Sequence, residues 1–343
     1  MSFFRLVTYN FLVFLLLIIF LEATLGYWFK KENFGIYMRK ERKINWQTTS
    51  YFNGKEYKFF YKRNFWGFRG NEFNPKNVKI IFEGGSTGNQ RFTPENLTIV
   101  GHLNKKFSDK NQDVLIYNAS TDGKSVTGYI NDFKHWFSKI PELKPKYVIF
   151  YIGINDRFID DNFYLDNKIS ESTIDQVKDY IKNNSIIVDK FKDFKNKYYP
   201  KNTLAYDLNK ADLYDNFTYI NFQEASKKHL EIDQTNKNLI KKFNLKLDKL
   251  NLIINSKKIQ PIFITQAMFN GLEDKRLFLI NNELKNFALE NNYYLIAIDE
   301  ILDMKQNDYF DTAHTTPQGS KRIADKIFPL LLEFFRENHE IKE

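Results

Sequence analysis

Residues 78–88 read Val-Lys-Ile-Ile-Phe-Glu-Gly-Gly-Ser-Thr-Gly, an apolar run that leads directly into a glycine-rich turn. Such a run is typical of a buried β-strand, and the glycines let the chain turn tightly into a helix. Ser86 then stands where a nucleophilic serine is exposed and its backbone N–H faces the site. A phosphate-binding loop is the alternative, but neither Gly-Lys-Ser/Thr nor Gly-x-Gly-x-x-Gly is present. By itself the turn is compatible with a catalytic hydroxyl, but it does not establish one.

Further short apolar runs extend this pattern along the chain. They lie at residues 114–117, 147–152, 262–265 and 294–298. Because they are apolar on both faces, they suit the strands of a buried parallel sheet. Crossover helices are expected between them, at residues 94–108, 126–137, 239–255 and 275–290. A last helix begins at Thr316-Pro317, with Thr as its cap, and runs to about residue 338.

Strands that alternate with helices predict a three-layer, doubly wound α/β domain with a mostly parallel five-stranded sheet. Ligands of such folds bind beyond the carboxyl ends of the strands. The second predicted strand ends in Asn118-Ala-Ser-Thr-Asp-Gly123, and the third in Gly153-Ile-Asn-Asp156. The N–H of Gly123 or the amide of Asn155 could serve a developing oxyanion. Turn chemistry alone also explains these residues, because Asn, Asp and Gly dominate turns.

The sequence Asp311-Thr-Ala-His314 lies between the last predicted strand and the last predicted helix. A carboxylate three residues before an imidazole can accept the Nδ1 proton and leave Nε2 facing a nucleophile. The other histidines fall in predicted helices or in an insertion, and we expect them to be surface or packing residues. No spacing in the chain indicates a metal site of His, Asp and Glu.

These four blocks, in this order, resemble those of the SGNH (GDSL-like) hydrolase superfamily, and the resemblance spans about residues 78–335. The stretch at residues 64–70, Asn-Phe-Trp-Gly-Phe-Arg-Gly, also looks like a segment found upstream of the serine block in membrane-anchored members. A structural turn is its simplest interpretation. One position departs from the family, since Gly85 stands where many relatives carry Asp, and this leaves the subfamily open.

The resemblance implies a role for each candidate residue. Ser86 would be the nucleophile, His314 the general base and then acid, and Asp311 the carboxylate that orients the imidazole. The N–H groups of Ser86 and Gly123 and the side-chain amide of Asn155 would form the oxyanion hole. Neither a metal nor an organic cofactor is implied.

The expected activity is hydrolysis of esters, specifically of O-acetyl groups on carbohydrate. A glycan O-acyltransferase would use the same residues, and a lipase- or lysophospholipase-like esterase is an alternative among hydrolases. A non-catalytic, membrane-tethered binding module is the alternative from another class. Aromatic rings stack on sugars, so a substrate platform is expected from residues 51–68 and from Phe158, Phe163, Tyr164, Tyr198, Tyr199, Tyr206 and Tyr214.

The amino terminus is apolar, and residues 6–21 carry no charge. With Glu22 tolerated, the 24 residues up to Phe29 would form a helix of about 36 Å, enough to cross a hydrocarbon core of about 30 Å. We therefore predict a single-pass membrane anchor at residues 1–29, with a signal sequence as the alternative. Lys and Arg are denser after the span, which by itself favours an internal body. Because glycan esters lie outside the cytoplasm, we nevertheless expect the catalytic domain on the periplasmic or cell-surface side.

Composition excludes several other classes. Hydrophobic residues make up 43% and charged residues 27% of the 343 residues, which indicates a folded body and not a disordered chain or a many-span transporter. The net charge of +9 arises mainly from scattered Lys, with only ten Arg, so we expect no nucleic-acid partner. The absence of Cys excludes disulfides and thiolate nucleophiles.

The chain divides into four parts on this interpretation. The anchor is followed by a juxtamembrane segment at residues 30–77, in which we find no convincing strand or helix period. The α/β domain occupies residues 78–338. It is interrupted by a mostly helical insertion or lid at about residues 157–236, which is rich in Asp, Asn, Lys, Tyr and Phe.

Overall fold

A computed structural model describes residues 3–29, 44–52, 55–158, 173–198 and 218–341. Helix α1 (Phe3–Leu25) is exposed along its apolar length. It is long and apolar enough to span a membrane or to serve as a signal sequence.

An antiparallel hairpin of β1 (Ile44–Phe52) and β2 (Lys55–Arg63) precedes the body. The sequence did not predict it, because we found no period in residues 30–77. A signal was present: aromatic residues at 57, 59 and 61 alternate with Lys58 and Lys62, and Asn53-Gly54 separates the two runs.

A parallel sheet of five strands forms the centre of the body and confirms the predicted fold. Its strands are β3 (Ile80–Gly84), β4 (Ile116–Asn118), β5 (Tyr147–Tyr151), β6 (Gln260–Ile264) and β7 (Tyr294–Ile296). Their order is β4-β3-β5-β6-β7, and every neighbouring pair is parallel. Chain order therefore reverses between β3 and β5, the position where doubly wound sheets open a crevice for ligands.

Helices follow the strands much as the sequence predicts. They are α2 (Ser86–Asn89), α3 (Ile99–Asp109), α4 (Val126–His135), α5 (Thr173–Asn184), α6 (Ile186–Tyr198), α7 (Phe222–Lys228), α8 (Gln234–Lys257), α9 (Lys275–Glu290), α10 (Ile298–Ile301) and α11 (Pro317–Glu337). Helix α8 begins five residues before its predicted start, because Asp233 caps it by accepting from the Asn236 N–H. Thr316 caps α11 as predicted, by accepting from the Gly319 N–H at 3.2 Å.

The helices cover both faces of the sheet, so the core has two halves. On one face α3 and α11 pack against side chains such as Ile80 and Phe82, and on the other α4, α8 and α9 pack against Ile81. All five residues of β5 are buried. This accounts for strands that are apolar on both faces.

The predicted insertion at residues 157–236 contains α5, α6 and α7 among its described residues. Residues 159–172 and 199–217, which we also assigned to it, lie outside the described residues. The boundaries between anchor, juxtamembrane segment, body and insertion stay predictions.

Candidate active site

Ser86 is the first residue of the short helix α2, directly after β3. The first N–H groups of a helix have no partner within it, so the Ser86 N–H is available to a ligand at this end. Gly85 is the helix cap, and a Cβ there would collide with Asn155 Nδ2 and lie 3.0 Å from the Lys124 carbonyl oxygen. The close approach of Asn155 explains why glycine stands at this position.

His314 joins Ser86 and Asp311 in one chain of hydrogen bonds. Its Nε2 lies 2.8 Å from Ser86 Oγ, and its Nδ1 lies 2.6 Å from Asp311 Oδ2. The other carboxylate oxygen of Asp311 accepts from the N–H groups of Ala313 and His314, at 2.8 and 2.7 Å. Burial raises the pKa of Asp311, but the hydrogen bonds and charge from His314 and the Ala313 N–H outweigh it and leave that pKa below its usual value.

The loop that carries His314 is held at both ends. The Phe310 N–H donates to the His314 carbonyl at 2.7 Å, and the Thr316 N–H donates to the Asp308 carbonyl at 2.8 Å. The hydroxyl of buried Tyr309 donates to the Ala267 carbonyl beyond β6 at 2.9 Å. The imidazole therefore projects from a loop fixed to the sheet and to the start of α11.

Gly123 and Asn155 reach the same pocket from the ends of β4 and β5. Gly123 has a φ of 76°, a left-handed conformation that glycine adopts without steric cost. Asn155 Nδ2 donates to the Lys124 carbonyl at 2.7 Å, which fixes the orientation of the amide. The structure thus brings together all five candidate residues: Ser86, Gly123, Asn155 and His314 line the pocket, and Asp311 lies behind the imidazole.

A buried charge cluster lies behind the Gly123 turn, and the sequence did not predict it. Lys124 Nζ pairs with Asp132 and lies 3.6 Å from Glu83 Oε1 and 4.9 Å from the centroid of the Trp136 ring. Burial and the nearby Asp132 raise the pKa of Glu83 well above its usual value, although Lys124 lowers it. The raised pKa favours the neutral form of Glu83, which lowers the cost of burying this carboxyl beside Asp132.

Arg69 lies in the segment at residues 64–70, which we interpret from the sequence as a structural turn. It holds the end of helix α2, the helix that begins with Ser86. Its guanidinium is buried, and it donates to the carbonyls of Asn89, Gln90 and Thr93 and to Glu95. The Arg69 N–H also donates to the Asn118 carbonyl at the end of β4, at 2.9 Å. The segment upstream of the serine block therefore connects the end of helix α2 to the end of strand β4.

Gln90 links the serine helix to the histidine side of the site. Its Nε2 donates to Thr315 Oγ1 at 2.8 Å and to Ser320 Oγ at 2.5 Å, and its Oε1 accepts from the Ile99 N–H at 2.7 Å. A polar residue after a glycine turn gives no sequence signal for such a long-range role, so Gln90 was missed.

The pocket above Ser86 has a volume of about 350 Å³. Its further lining includes rings and charged groups, namely Phe92, Phe158, Phe310, Arg91, Arg157 and Asp122. Arg91 pairs with Asp122 at 3.1 Å, and Arg157 pairs with Asp274 at 2.8 Å. The wall is thus both aromatic and charged.

The predicted aromatic platform is only partly described. Phe158 lines the pocket, but Tyr198 at the end of α6 is not among the lining residues. Phe163, Tyr164, Tyr199, Tyr206 and Tyr214 lie outside the described residues. The upstream group includes Phe68, which is buried in the core against Trp136 with ring centroids 5.0 Å apart, so its ring packs the fold and does not face a substrate.

A comparison with protein families identifies the family of this chain. The sequence matches the family model described as GDSL-like Lipase/Acylhydrolase over residues 64–327, a span that contains all five candidate residues. A search of curated proteins gave no match.

Similar solved structures share 14% identity with this chain. An acetyl xylan esterase is matched over 74% of this chain and 99% of its own, with a TM-score of 0.41. A member of the lipolytic protein G-D-S-L family from Veillonella parvula is matched over 74% and 97%, with a TM-score of 0.41. A catalytic mutant of an acetylxylan esterase from Geobacillus stearothermophilus is matched over 76% and 94%, with a TM-score of 0.40.

Proposed function

The chain belongs to the GDSL-like lipase and acylhydrolase family, a family of serine hydrolases, and from this we propose that it cleaves O-acyl esters through Ser86, His314 and Asp311. The observation that carries the proposal is the continuous hydrogen-bond chain from Ser86 Oγ through the imidazole to the Asp311 carboxylate. Such a chain fixes the imidazole tautomer with its proton on Nδ1, so that Nε2 can accept a proton.

In the first half of the reaction, His314 Nε2 removes the hydroxyl proton as Ser86 Oγ attacks the ester carbonyl. The negative charge of the tetrahedral intermediate is held by the N–H groups of Ser86 and Gly123 and by Asn155 Nδ2. Asp311 stabilises the imidazolium that forms, and its lowered pKa keeps it ionised for this task. When the C–O bond of the ester breaks, the imidazolium gives its proton to the departing alcohol.

In the second half, water replaces the alcohol. His314 takes a proton from the water as its oxygen attacks the acyl-enzyme carbonyl, and returns that proton to Ser86 Oγ as the acid leaves. Every step uses groups of this chain and the water molecule.

We further propose that the substrate is an O-acetylated carbohydrate. The supporting observation is the pocket wall, which contains the rings of Phe92, Phe158 and Phe310 together with the charged side chains of Arg91 and Asp122. Rings offer flat apolar faces to a sugar, and the charged side chains can bond its hydroxyls. A lipid ester would be served better by a continuous apolar wall.

The experiment compares the full chain with its Ser86→Ala and His314→Ala variants on acetylated sugars, aryl acetates and lysophospholipids. We expect acetate release from the first two classes and loss of nearly all activity in both variants. Full aryl acetate turnover by His314→Ala would refute the triad, and preference for lysophospholipids would refute the carbohydrate. Adding a glycan acceptor separates hydrolysis from transfer, because a transferase would form acetylated acceptor in place of acetate.

A fluorophosphonate probe tests the nucleophile separately from the substrate. The wild-type protein should be labelled, and Ser86→Ala should not be. Ser108→Ala is the matched control, since this exposed serine on α3 lies outside the pocket lining. An unlabelled wild-type protein would favour a non-catalytic binding module.

A further inference from the structure

Helix α6 carries an exposed apolar stripe on one side. Ile187, Phe191, Phe194 and Tyr198 follow each other at intervals of four, three and four residues, which places them within a sector of about 60° at 3.6 residues per turn. Phe191 is 67% exposed and Phe194 is 56% exposed. Soluble surfaces rarely leave such a continuous stripe in water, so the stripe indicates a covering partner.

Helix α5 also exposes apolar side chains, and both helices carry exposed lysines. Ile174, Val177 and Ile181 are exposed and recur at intervals of three and four residues. Among the side chains of these helices that the structure describes, the exposed lysines are Lys178, Lys182, Lys190 and Lys195. On α6 they fall on either side of the stripe, an arrangement typical of helices that lie in a membrane surface with their basic side chains near anionic headgroups.

Helix α1 is joined directly to the start of α6 through Glu22. The Glu22 carboxylate accepts from Ser185 Oγ at 2.6 Å and from the N–H groups of Ile186 and Ile187, both at 3.1 Å. It therefore caps α6 from another part of the chain and satisfies N–H groups that have no partner within that helix. The Tyr27 N–H adds a bond to the Asn184 carbonyl at 2.8 Å.

The position of Glu22 along α1 sets the level of this contact. Arg5 and Glu22 are 17 residues apart, or about 26 Å along a helix, close to the thickness of a hydrocarbon core of about 30 Å. When α1 spans the membrane, α6 thus begins at its polar boundary. With 13 residues, α6 is too short to cross the bilayer itself, for which about 20 are needed.

We propose that α1 is a retained anchor and that α5 and α6 lie in the lipid–water interface, with the stripe buried against acyl chains and the lysines beside anionic headgroups. The capping contacts from Glu22 argue for retention, because cleavage after α1 would leave the N–H groups of Ile186 and Ile187 without this acceptor, and only the Val188 N–H would keep its cap from Ser185 Oγ. The occupant of the stripe is the bilayer itself. This inference is independent of the ester chemistry.

Depth measurements on the full chain in vesicles of phosphatidylcholine and phosphatidylglycerol test the proposal. The chain has no Cys, so Phe191→Cys and Phe194→Cys each provide a unique site for a nitroxide label. Leu289→Cys is the control, because Leu289 is 78% exposed. It lies near the end of α9, which leads to the start of β7, whereas the pocket lies at the carboxyl ends of the strands. Each variant must keep the thermal unfolding midpoint of the wild type.

We expect labels at 191 and 194 to collide often with oxygen, which concentrates in lipid, and rarely with a water-soluble nickel complex. The label at 289 should show the reverse. Labels at 191 and 194 that match the control would show a solvated stripe and overturn the proposal. Protection from both reagents would also overturn it, because a second copy or another segment of the insertion would then cover the stripe.

Discussion

Asn155 carries two hydrogens on Nδ2, and one of them is committed to the Lys124 carbonyl at 2.7 Å. That bond orients the amide at the pocket wall, and the second hydrogen can then be directed toward a substrate oxygen without reorganisation. On the proposed mechanism, Asn155 would stabilise the oxyanion without first reorganising, because its amide is already held in place.

We therefore expect Asn155→Ala to lower kcat by about 10²–10³, with little change in KM, since the lost bond acts mainly on the tetrahedral intermediate. Steady-state hydrolysis of an aryl acetate measures both constants. Asn251→Ala is the matched control, because it removes a half-buried amide from α8, far along the chain from the site residues. Unchanged kcat in Asn155→Ala would assign the residue to turn structure alone.

Glu83 makes the stability of the folded protein depend on pH. Its folded pKa is raised, so the folded protein holds this proton more tightly than the unfolded chain. The resulting stabilisation is complete below the usual pKa of 4.5 and is lost as pH rises through the folded value. The Glu83→Gln side chain resembles protonated Glu83 at every pH. Its contribution to stability is therefore not lost as pH rises.

The free energy of unfolding of Glu83→Gln relative to wild type should thus increase as pH rises above 4.5. Denaturant titrations of both proteins at a series of pH values measure the difference. A difference that stays constant across the series would mean that Glu83 ionises normally in the folded protein.

The residues of the site differ in how well their positions can be predicted from the sequence. Ser86 and His314 stand in short motifs whose geometry is local, a strand-to-helix turn and an Asp-x-x-His loop, so their neighbours already carry the signal. Lys124 and Arg69 depend on partners brought near only by the fold, such as Asp132 and Glu95. A charged residue next to glycine looks like a solvated turn until its burial is known.

At the scale of elements, the buried strands were predicted well because both of their faces pack against helices and each strand reads as a continuous apolar run. The hairpin of β1 and β2 was missed because its polar residues interrupt such runs. The start of a helix can be predicted where the sequence contains a recognisable capping residue, as at Thr316. The predicted start of helix α8 is too late, because the first turn of the helix is polar and only the capping residue Asp233 marks where it begins.

The segment that follows the hairpin contains Arg69, which holds the end of α2, and the contribution of this contact to the free energy of unfolding can be measured. Arg69→Lys keeps the charge but not the planar fork, so it cannot serve Asn89, Gln90 and Thr93 together. We expect a loss of about 1–3 kcal/mol in unfolding free energy for each buried carbonyl that loses its donor.

Chemical denaturation of the full chain in detergent tests this loss. The control is Lys228→Met, which breaks the exposed pair with Glu273 and should change the free energy of unfolding by no more than about 1 kcal/mol. Equal effects of the two substitutions would contradict the bracing role of Arg69.

For the whole molecule, the orientation of α1 as a membrane span would decide on which side of the membrane the pocket lies. The excess of Lys and Arg after α1 favours an internal body, whereas a glycan substrate requires an external one. We expect a carboxyl-terminal reporter that folds only outside the cytoplasm to be active. Activity of a strictly cytoplasmic reporter at the same position would reverse the orientation and remove the carbohydrate ester from consideration.

The distance along the chain between the two halves of the site has a consequence for biosynthesis. Ser86 and His314 are 228 residues apart, and the histidine loop is held by α11, whose Phe328 packs on Phe107 of α3 with ring centroids 4.9 Å apart. A chain still emerging from the ribosome contains Ser86 before His314 has been made. On the proposed mechanism, hydrolytic competence therefore arises only once α11 has been synthesised and has folded against α3.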